Sequence, residues 1–594
     1  MKQWFAAGLA ACLTVTAVGA AELDLDFATD DELSASLEGA SLTAQTLRED
    51  RDEPLSRRDI VAAAQADYQR LLAVLFEAGF FGPTISITVD GVEAASLPVI
   101  TREGPVNLVR LSVQPGPAFL FGRVDVGPLP RRTDLPDGFA TGQPAGTSVL
   151  RDVTRTGIDA WRARGHAKAD LESQEIIADH NSRRLDAILT LAPGPRLRYG
   201  PIVIDGEDRV RERRIARIAD LRQGQIFDPE QVNAAARRLQ RTGAFRSVAI
   251  TEAERIGPDA TLPMTIQVVE RLPRRFGVGA EIGTNEGLGL SAFWLHRNLT
   301  GRADSLRVEG DVVGIGGGTG GTDYGLSLGY NRPSTFNPET DLFVNAEIER
   351  LNEPEFTSDR AAVELGARRV VNEEFSYTYG IAYERNRIED AFGERDFSIL
   401  SLPLTADYDR RDQDLNPRDG YYIQAGLEPF YGLETAGPGL RFTADLRGYQ
   451  GFGQDRRTVI AARVQLGSVV GPGIDDVPAT DLFFSGGGGT VRGTEFQSLG
   501  IEQPDGDLVG GRSFLGLSGE LRRDVTDAIG LVGFVDFGLV SVDSQWSDGE
   551  THTGAGIGIR YNTGIGPIRV DVGAPVSGPG DDGVAIYIGI GQAF

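Results

Sequence analysis

From Phe276 to Phe594 apolar residues alternate with small or polar ones, segment after segment, and the 3.6-residue helical period is missing. Side chains on a strand point to opposite faces in turn, so each such segment has one apolar face and one polar face. Phe276, Val278, Ala280 and Ile282 share a face, with Gly277, Gly279 and Glu281 opposite. Leu531, Val535, Phe537 and Leu539 oppose Phe534, Asp536 and Gly538. Ile557, Ile559 and Tyr561 face away from Arg560, and Ile568, Val570 and Val572 oppose Arg569 and Asp571. In the last segment Val584, Ile586, Ile588, Ile590 and Phe594 fall on one face. A soluble sandwich also alternates, with typically shorter strands. At roughly 20 residues per strand and connection, 276–594 holds about 16 strands, enough for an antiparallel barrel crossing a membrane. Closure of such a barrel satisfies every backbone polar group in lipid.

Residues 1–21 have the pattern of a secretory signal: Lys2, an apolar run from Trp4 to Val18, then Gly19-Ala20-Ala21. Cleavage is expected between Ala20 and Glu22. An N-terminal anchor and a lipoprotein signal at Cys12 are the alternatives. Cys12 is the single cysteine of the chain, so no disulfide is expected. The four histidines have no metal-ligand spacing, and neither a metal nor a cofactor is expected. A net charge of −26 argues against a nucleic-acid partner. There is no G-x-S-x-G nucleophile elbow and no P-loop, and no enzyme activity is expected.

Residues 22–275 mix helix and strand patterns and repeat. PGPAFLFGRVDVG, from Pro115 to Gly127, matches PGPRLRYGPIVIDG, from Pro193 to Gly206. A repeat near 78 residues means tandem small domains: 22–116, 117–195 and 196–275. In the third, Asp228 and Pro229 open a helix whose face is Val232, Ala235, Ala236 and Leu239, and strands over 245–252 and 262–270 follow. The order is β-α-α-β-β. Residues 117–195 are expected to repeat it, and 22–116 in a more divergent form.

One segment of the barrel region does not read as strand: Gly486 to Thr494, GGGGTVRGT. Four successive glycines destabilise any strand, so this is a loop carrying Arg492.

Together these features resemble the outer-membrane insertase superfamily, the group of BamA, TamA and the two-partner secretion transporters. The tandem units resemble POTRA domains. Val491-Arg492-Gly493-Thr494 is similar to the family's VRGY/F signature on the sixth extracellular loop, with Thr494 in place of the aromatic residue. Phe534-Val-Asp536-Phe-Gly538 resembles its F-x-D-x-G motif. The resemblance implies that the loop folds into the lumen and that Arg492 pairs with Asp536, a latch of Val491, Arg492, Gly493, Phe534, Asp536 and Gly538. Three POTRA-like units fit the TamA-like group, since BamA typically has five and two-partner transporters two. That implies assembly or secretion of nascent β-barrel and autotransporter substrates at the outer-membrane lipid, with a TamB-like inner-membrane-anchored partner. A two-partner-type transport channel is the alternative.

The first and last strands carry Gly277, Gly279, Gly283, Gly589 and Gly591, with Phe594 at the end. These glycines either weaken a lateral seam that opens to template strands, or relieve crowding in the lumen.

Overall fold

The computed structural model describes residues 21–48, 55–98, 104–283, 287–317, 320–434, 437–453, 455–564, 566–579 and 583–594, with backbone alone at 281–283. The signal segment, with Cys12, lies outside the described residues. Contacts divide the chain into two units: 1–200 with 223–231 and 254–263, and 201–222 with 232–253 and 264–594.

Each N-terminal repeat packs helices on one face of a small sheet. In the first, Glu22–Phe27 runs parallel to Leu108–Gln114, which pairs antiparallel with Thr84–Val89. Helix Arg57–Glu77 starts where Ser56 caps the Asp59 amide, and it buries Val61, Leu71 and Leu75 against Ile87 and Leu111. In the second, Leu120–Gly127 runs parallel to Arg184–Ala192, with Asp170–Asp179 on the other side. This repeat departs from the expected β-α-α-β-β order. It keeps the helix Thr147–Arg162, but 128–146 is turns and irregular chain. Pro128, Pro130, Pro136 and Pro144 remove backbone donors and clash with a preceding helical turn, so no first helix forms there. The third repeat has both helices, Glu212–Ala219 and Pro229–Arg241, on a sheet of Arg198–Asp205, Thr261–Glu270 and Phe245–Glu252.

From Arg274 onward the chain forms one antiparallel sheet of 17 segments in sequence order. Two of them, Gly393–Ser401 and Leu404–Asp409, both pair with Phe375–Asp390 and act as one strand interrupted at Leu402-Pro403, where Pro403 offers no N–H. Among the described residues the sheet therefore has sixteen strands. The first is Arg274–Gly283; the twelfth to sixteenth are Ser513–Asp524, Ile529–Ser541, Gly549–Thr563, Gly566–Ser577 and Ala585–Ile590. Outward residues such as Val278, Ile348, Ile557 and Ile588 are more than half exposed, the band a lipid-facing surface requires. Strands one and sixteen approach each other. No ladder joins them among the described residues.

Within the second unit, Arg214 and Arg238 reach two barrel turns. Arg214 donates to the carbonyl oxygens of Arg302 (3.0 Å), Ser334 (3.3 Å) and Pro333, and Arg238 pairs with Glu339 at 2.7 Å.

The last strand ends sooner than alternation predicts. It stops at Ile590, and Gly591 takes φ +90°, a backbone shape that favours glycine. The tail then leaves the lipid-facing surface. Phe594 is 6% exposed and packs with Tyr449, Val459 and Ala461, so it does not extend the outward face of Ile586, Ile588 and Ile590.

Candidate functional site

The eleventh and twelfth strands are joined by the long loop 471–512, which enters the lumen. Its base is held by bridges between Phe483 and Gly511 and between Ser485 and Leu499. At its tip Arg492 is 3% exposed. Asp536, on the inward face of strand thirteen, accepts from Arg492 Nε at 2.7 Å and Nη2 at 3.0 Å, and also from the Arg492 main-chain N at 3.1 Å. A planar guanidinium fits a carboxylate through two parallel bonds, so this pair fixes orientation as well as charge. Arg492 Nη1 donates to Glu520 at 2.6 Å and lies 3.4 Å from Asp571. The guanidinium carbon sits 3.7 Å from the centre of the Phe534 ring, a cation–π contact.

The F-x-D-x-G segment thus has three jobs at one site. Phe534 lies under the guanidinium and Asp536 receives it. Gly538 leaves room for the loop: a Cβ there would sit 2.5 Å from Ser485 Oγ and 2.8 Å from His552 Nε2. Glycines on the next strands make the wall flat enough for the loop backbone to lie against it. A Cβ on Gly554 would sit 2.0 Å from the Arg492 carbonyl oxygen. Gly493 itself has φ +99° and approaches Ala574 so closely that a Cβ would fall 2.5 Å from its amide nitrogen. The Gly493 N–H donates to the Tyr587 hydroxyl at 3.0 Å. Val491 is fully buried beside it.

Thr494 is 2% exposed, and its hydroxyl donates to the Val491 carbonyl at 2.9 Å, closing the turn that presents Arg492. The ring that meets the arginine comes from the wall, as Phe534. On the neighbouring eleventh strand, Arg463 pairs with Asp445 at 2.7 Å and donates to the Gly489 carbonyl at 3.2 Å. Beside the loop remains a cavity of about 620 Å³, lined by residues that include Glu349, Arg360, Asp445, Gln465 and Thr490.

Sequence reasoning found Arg492 and Asp536 but missed the rest of the charge network. Arg522 donates to Glu520 at 2.8 Å and to the main-chain oxygen of Phe594 at 3.1 Å. Arg560 donates to Asp571 at 2.5 Å and to Gln592 at 2.7 Å. Three guanidiniums and three carboxylates therefore form one buried, charge-balanced chain, and the tail residues Gln592 and Phe594 are tied to it. A signal was available: Glu520 and Arg522 occupy the face opposite Leu517 and Leu521, as Arg560 and Asp571 do on their strands.

The seam glycines fall in two groups. Gly277 and Gly279 lie in the first strand, opposite Phe293 and Ser291; a Cβ would sit 2.2 Å from the Phe293 ring and 2.6 Å from Ser291 Oγ. Gly589 gives the same room to Arg569, 2.9 Å from its would-be Cβ. Making space for neighbouring side chains is thus one thing they do. Gly283 pairs with Gly287. Gly591 lies beyond the last strand, its N–H on the Pro567 carbonyl at 2.7 Å.

A sixteen-stranded barrel with an arginine-bearing loop in its lumen and small α+β repeats before it defines a class of outer-membrane protein. The family model described as "Omp85 superfamily domain" matches residues 298–594, half of the chain, and a POTRA model, "surface antigen variable number repeat", matches 197–271. The chain belongs to the Omp85 superfamily, with its barrel in the outer membrane and its POTRA domains in the periplasm. It is similar to "Outer membrane protein assembly factor BamA" of Neorickettsia risticii, 23% identical over 83% of this chain and 68% of that protein. The protein of the same name from Nitratidesulfovibrio vulgaris is 21% identical over 82% of this chain and 63% of its own length. The crystal structure of BamA from Haemophilus ducreyi lacking POTRA domains 1–3 shares the fold, with a TM-score of 0.61 at 17% identity, covering 79% of this chain and 99% of that one.

Proposed function

We propose that this protein is an outer-membrane assembly factor that helps to insert or secrete nascent β-barrel and autotransporter proteins. The first and last strands part to offer a template edge. The observation that carries this is the seam: two edges that approach without a ladder among the described residues, beside a wall held by the buried charge network. A strand entering lipid must satisfy its backbone polar groups, each costing several kcal/mol if left bare, and an open edge supplies partners. Covalent catalysis and cofactors have no part in such a mechanism. The loop in the lumen weighs against a passive transport channel. Three POTRA-like repeats favour a TamA-like member working with a TamB-like periplasm-spanning partner. The names of the two relatives support assembly as the activity.

The test is a disulfide between strands one and sixteen of the chain without its leader, which has no cysteine of its own. Substrate assembly should stop when the disulfide is oxidised and return on reduction. Undiminished assembly with the seam locked would sink the proposal. A pulldown with the full chain separates the partners: a large periplasm-spanning protein supports the TamA-like assignment, and the lipoproteins of the main assembly machine favour a BamA-like one.

A further inference from the structure

The interior of a barrel in lipid is polar as a rule. At the extracellular end of this one, part of the inner wall is apolar. Ile388 on strand seven (Phe375–Asp390), Phe397 and Ile399 on strand eight (393–409), Phe430 on strand nine (Gly420–Gly432) and Val469 on strand eleven (Thr458–Val470) are all buried. Their neighbours Leu400, Tyr431 and Val470 are exposed, on the outward face. The inner set is covered by the first arm of the long loop, whose Val477, Ala479 and Leu482 pack into one cluster with it. Asn386, fully buried, donates to the Thr480 hydroxyl at 3.1 Å and accepts from the Ser358 hydroxyl at 2.7 Å. Arg441 pairs with Asp481 at 3.3 Å, and Arg395 donates to the main-chain oxygen of Asp475. The cavity of about 620 Å³ lies beneath this arm: Ala479, Thr480, Asp481 and Leu482 line it from above, and Asp445 and Gln465, nearer the periplasmic ends of their strands than Arg441 and Val469, line its wall.

A clamp separates this arm from the Arg492 tip. Phe483 and Gly511 exchange two main-chain hydrogen bonds, at 2.9 and 2.7 Å, and Ser485 and Leu499 exchange two more, both at 2.9 Å. The clamp is seated on the wall. Ser485 Oγ lies 2.8 Å from His552 Nε2, Leu499 packs with Phe514 and Val540, and a Cβ on Gly511 would sit 2.4 Å from the Val540 side chain. At its other end the arm starts from Gly471, whose φ of +114° favours glycine. Residues 472–482 are thus tethered at both ends, and 486–498 are tethered separately. The two pieces are also held by different forces. The tip is held by buried charges. The arm is held by apolar side chains, by hydrogen bonds from Asn386 and Arg395, and by an ion pair that keeps part of its exposure. None of these strands a buried charge when it parts, since Arg395 keeps Asp390 as its partner.

We infer that residues 472–482 are a lid over the extracellular mouth of the barrel, which lifts as a flap between Gly471 and the clamp while Arg492 stays seated. Lifting opens the cavity to the outside and leaves the charge network of strands twelve to fifteen intact. One loop therefore carries two devices, a latch that holds the wall and a lid that closes the lumen, with the clamp insulating one from the other. The lid rests on the barrel and not on the assembly function. Its test reads distances, so the two can fail separately.

The full chain without its leader, which has no cysteine of its own, is placed in phosphatidylcholine vesicles with nitroxides on paired cysteines. Asp527→Cys, on the periplasmic turn after strand twelve, is the common reference. Asp476→Cys reports the lid and Glu495→Cys the tip; all three positions are exposed. Double electron–electron resonance gives a distance distribution for each pair. Thr480→Val combined with Leu482→Ala loosens the lid and should widen the lid distribution about twofold, with the tip distribution unchanged. Arg492→Ala should do the reverse. A lid variant that widens both distributions overturns the inference, because the loop then moves as one plug. A lid variant that widens neither overturns it as well. The lid variant leaves every buried charge paired, so it decides the matter even where Arg492→Ala fails to fold. Thr480→Val alone, the milder change, should widen the lid distribution by a smaller factor and again spare the tip.

Discussion

Strands twelve to fifteen and the pair formed by strands one and sixteen are built from similar alternating sequence, yet they are held in different ways. In the first region four neighbouring strands are laddered without interruption of the sheet and are also tied together along their lumenal face by Arg492, Arg522 and Arg560. In the second, two edges approach each other with no ladder between them among the described residues. Alternation sets which face meets lipid; it does not set how firmly a strand is held. Firmness comes from what fills the inward face: a balanced charge cluster in one region, glycines beneath neighbouring side chains in the other.

The hardest way to break the locked wall is Arg492→Ala. It leaves Asp536 and Glu520, both with side chains fully buried, short of a partner. Removing one member of a buried ionic set typically costs about 3–5 kcal/mol. Thermal unfolding of the purified barrel should fall accordingly, and an unchanged transition would show that the latch adds no stability. Next comes the seat of the loop. Gly554→Ala pushes a methyl into the Arg492 carbonyl and should cost about 1–3 kcal/mol by overpacking. Gly519→Ala, on the outward face with Val535 at 3.9 Å, should stay within about 0.5 kcal/mol. Equal effects would mean that glycine serves strand geometry in general and not the loop. The smallest effect belongs to Thr494→Val, which removes one hydrogen bond to Val491 at about 1 kcal/mol in the same unfolding measurement.

Much of this architecture is legible in the chain because its causes are local. Period-two alternation locates the strands, and the facing of Asp536 opposite Leu531 and Val535 is enough by itself to place it in the lumen. What resists reading is depth. Alternation says that Glu520, Arg522 and Arg560 point inward, but not that they lie at the level where the loop tip arrives, since that depends on strand stagger and loop path. The inward turn at Gly591 is hidden for a related reason. A residue with positive φ interrupts no hydrophobic pattern, so Phe594 reads as a continuation of the outward face. The missing helix of the second repeat is written in its prolines, yet the similarity between repeats outweighs them when the chain is read by its period.

The latch and the seam also differ in chain entropy. The most distant contact of Arg492, with Asp571, spans 79 residues, whereas the seam brings together strands about 300 residues apart. Closure entropy grows only with the logarithm of the loop, so that difference is worth about 1 kcal/mol. Chain length is therefore not what makes the seam weak. The last strand offers six residues to pair with, and its neighbour in the first strand is bare of side chains at Gly277 and Gly279. An incoming strand with a full set of side chains and a longer edge would have more to pair with along strand one than these six residues offer.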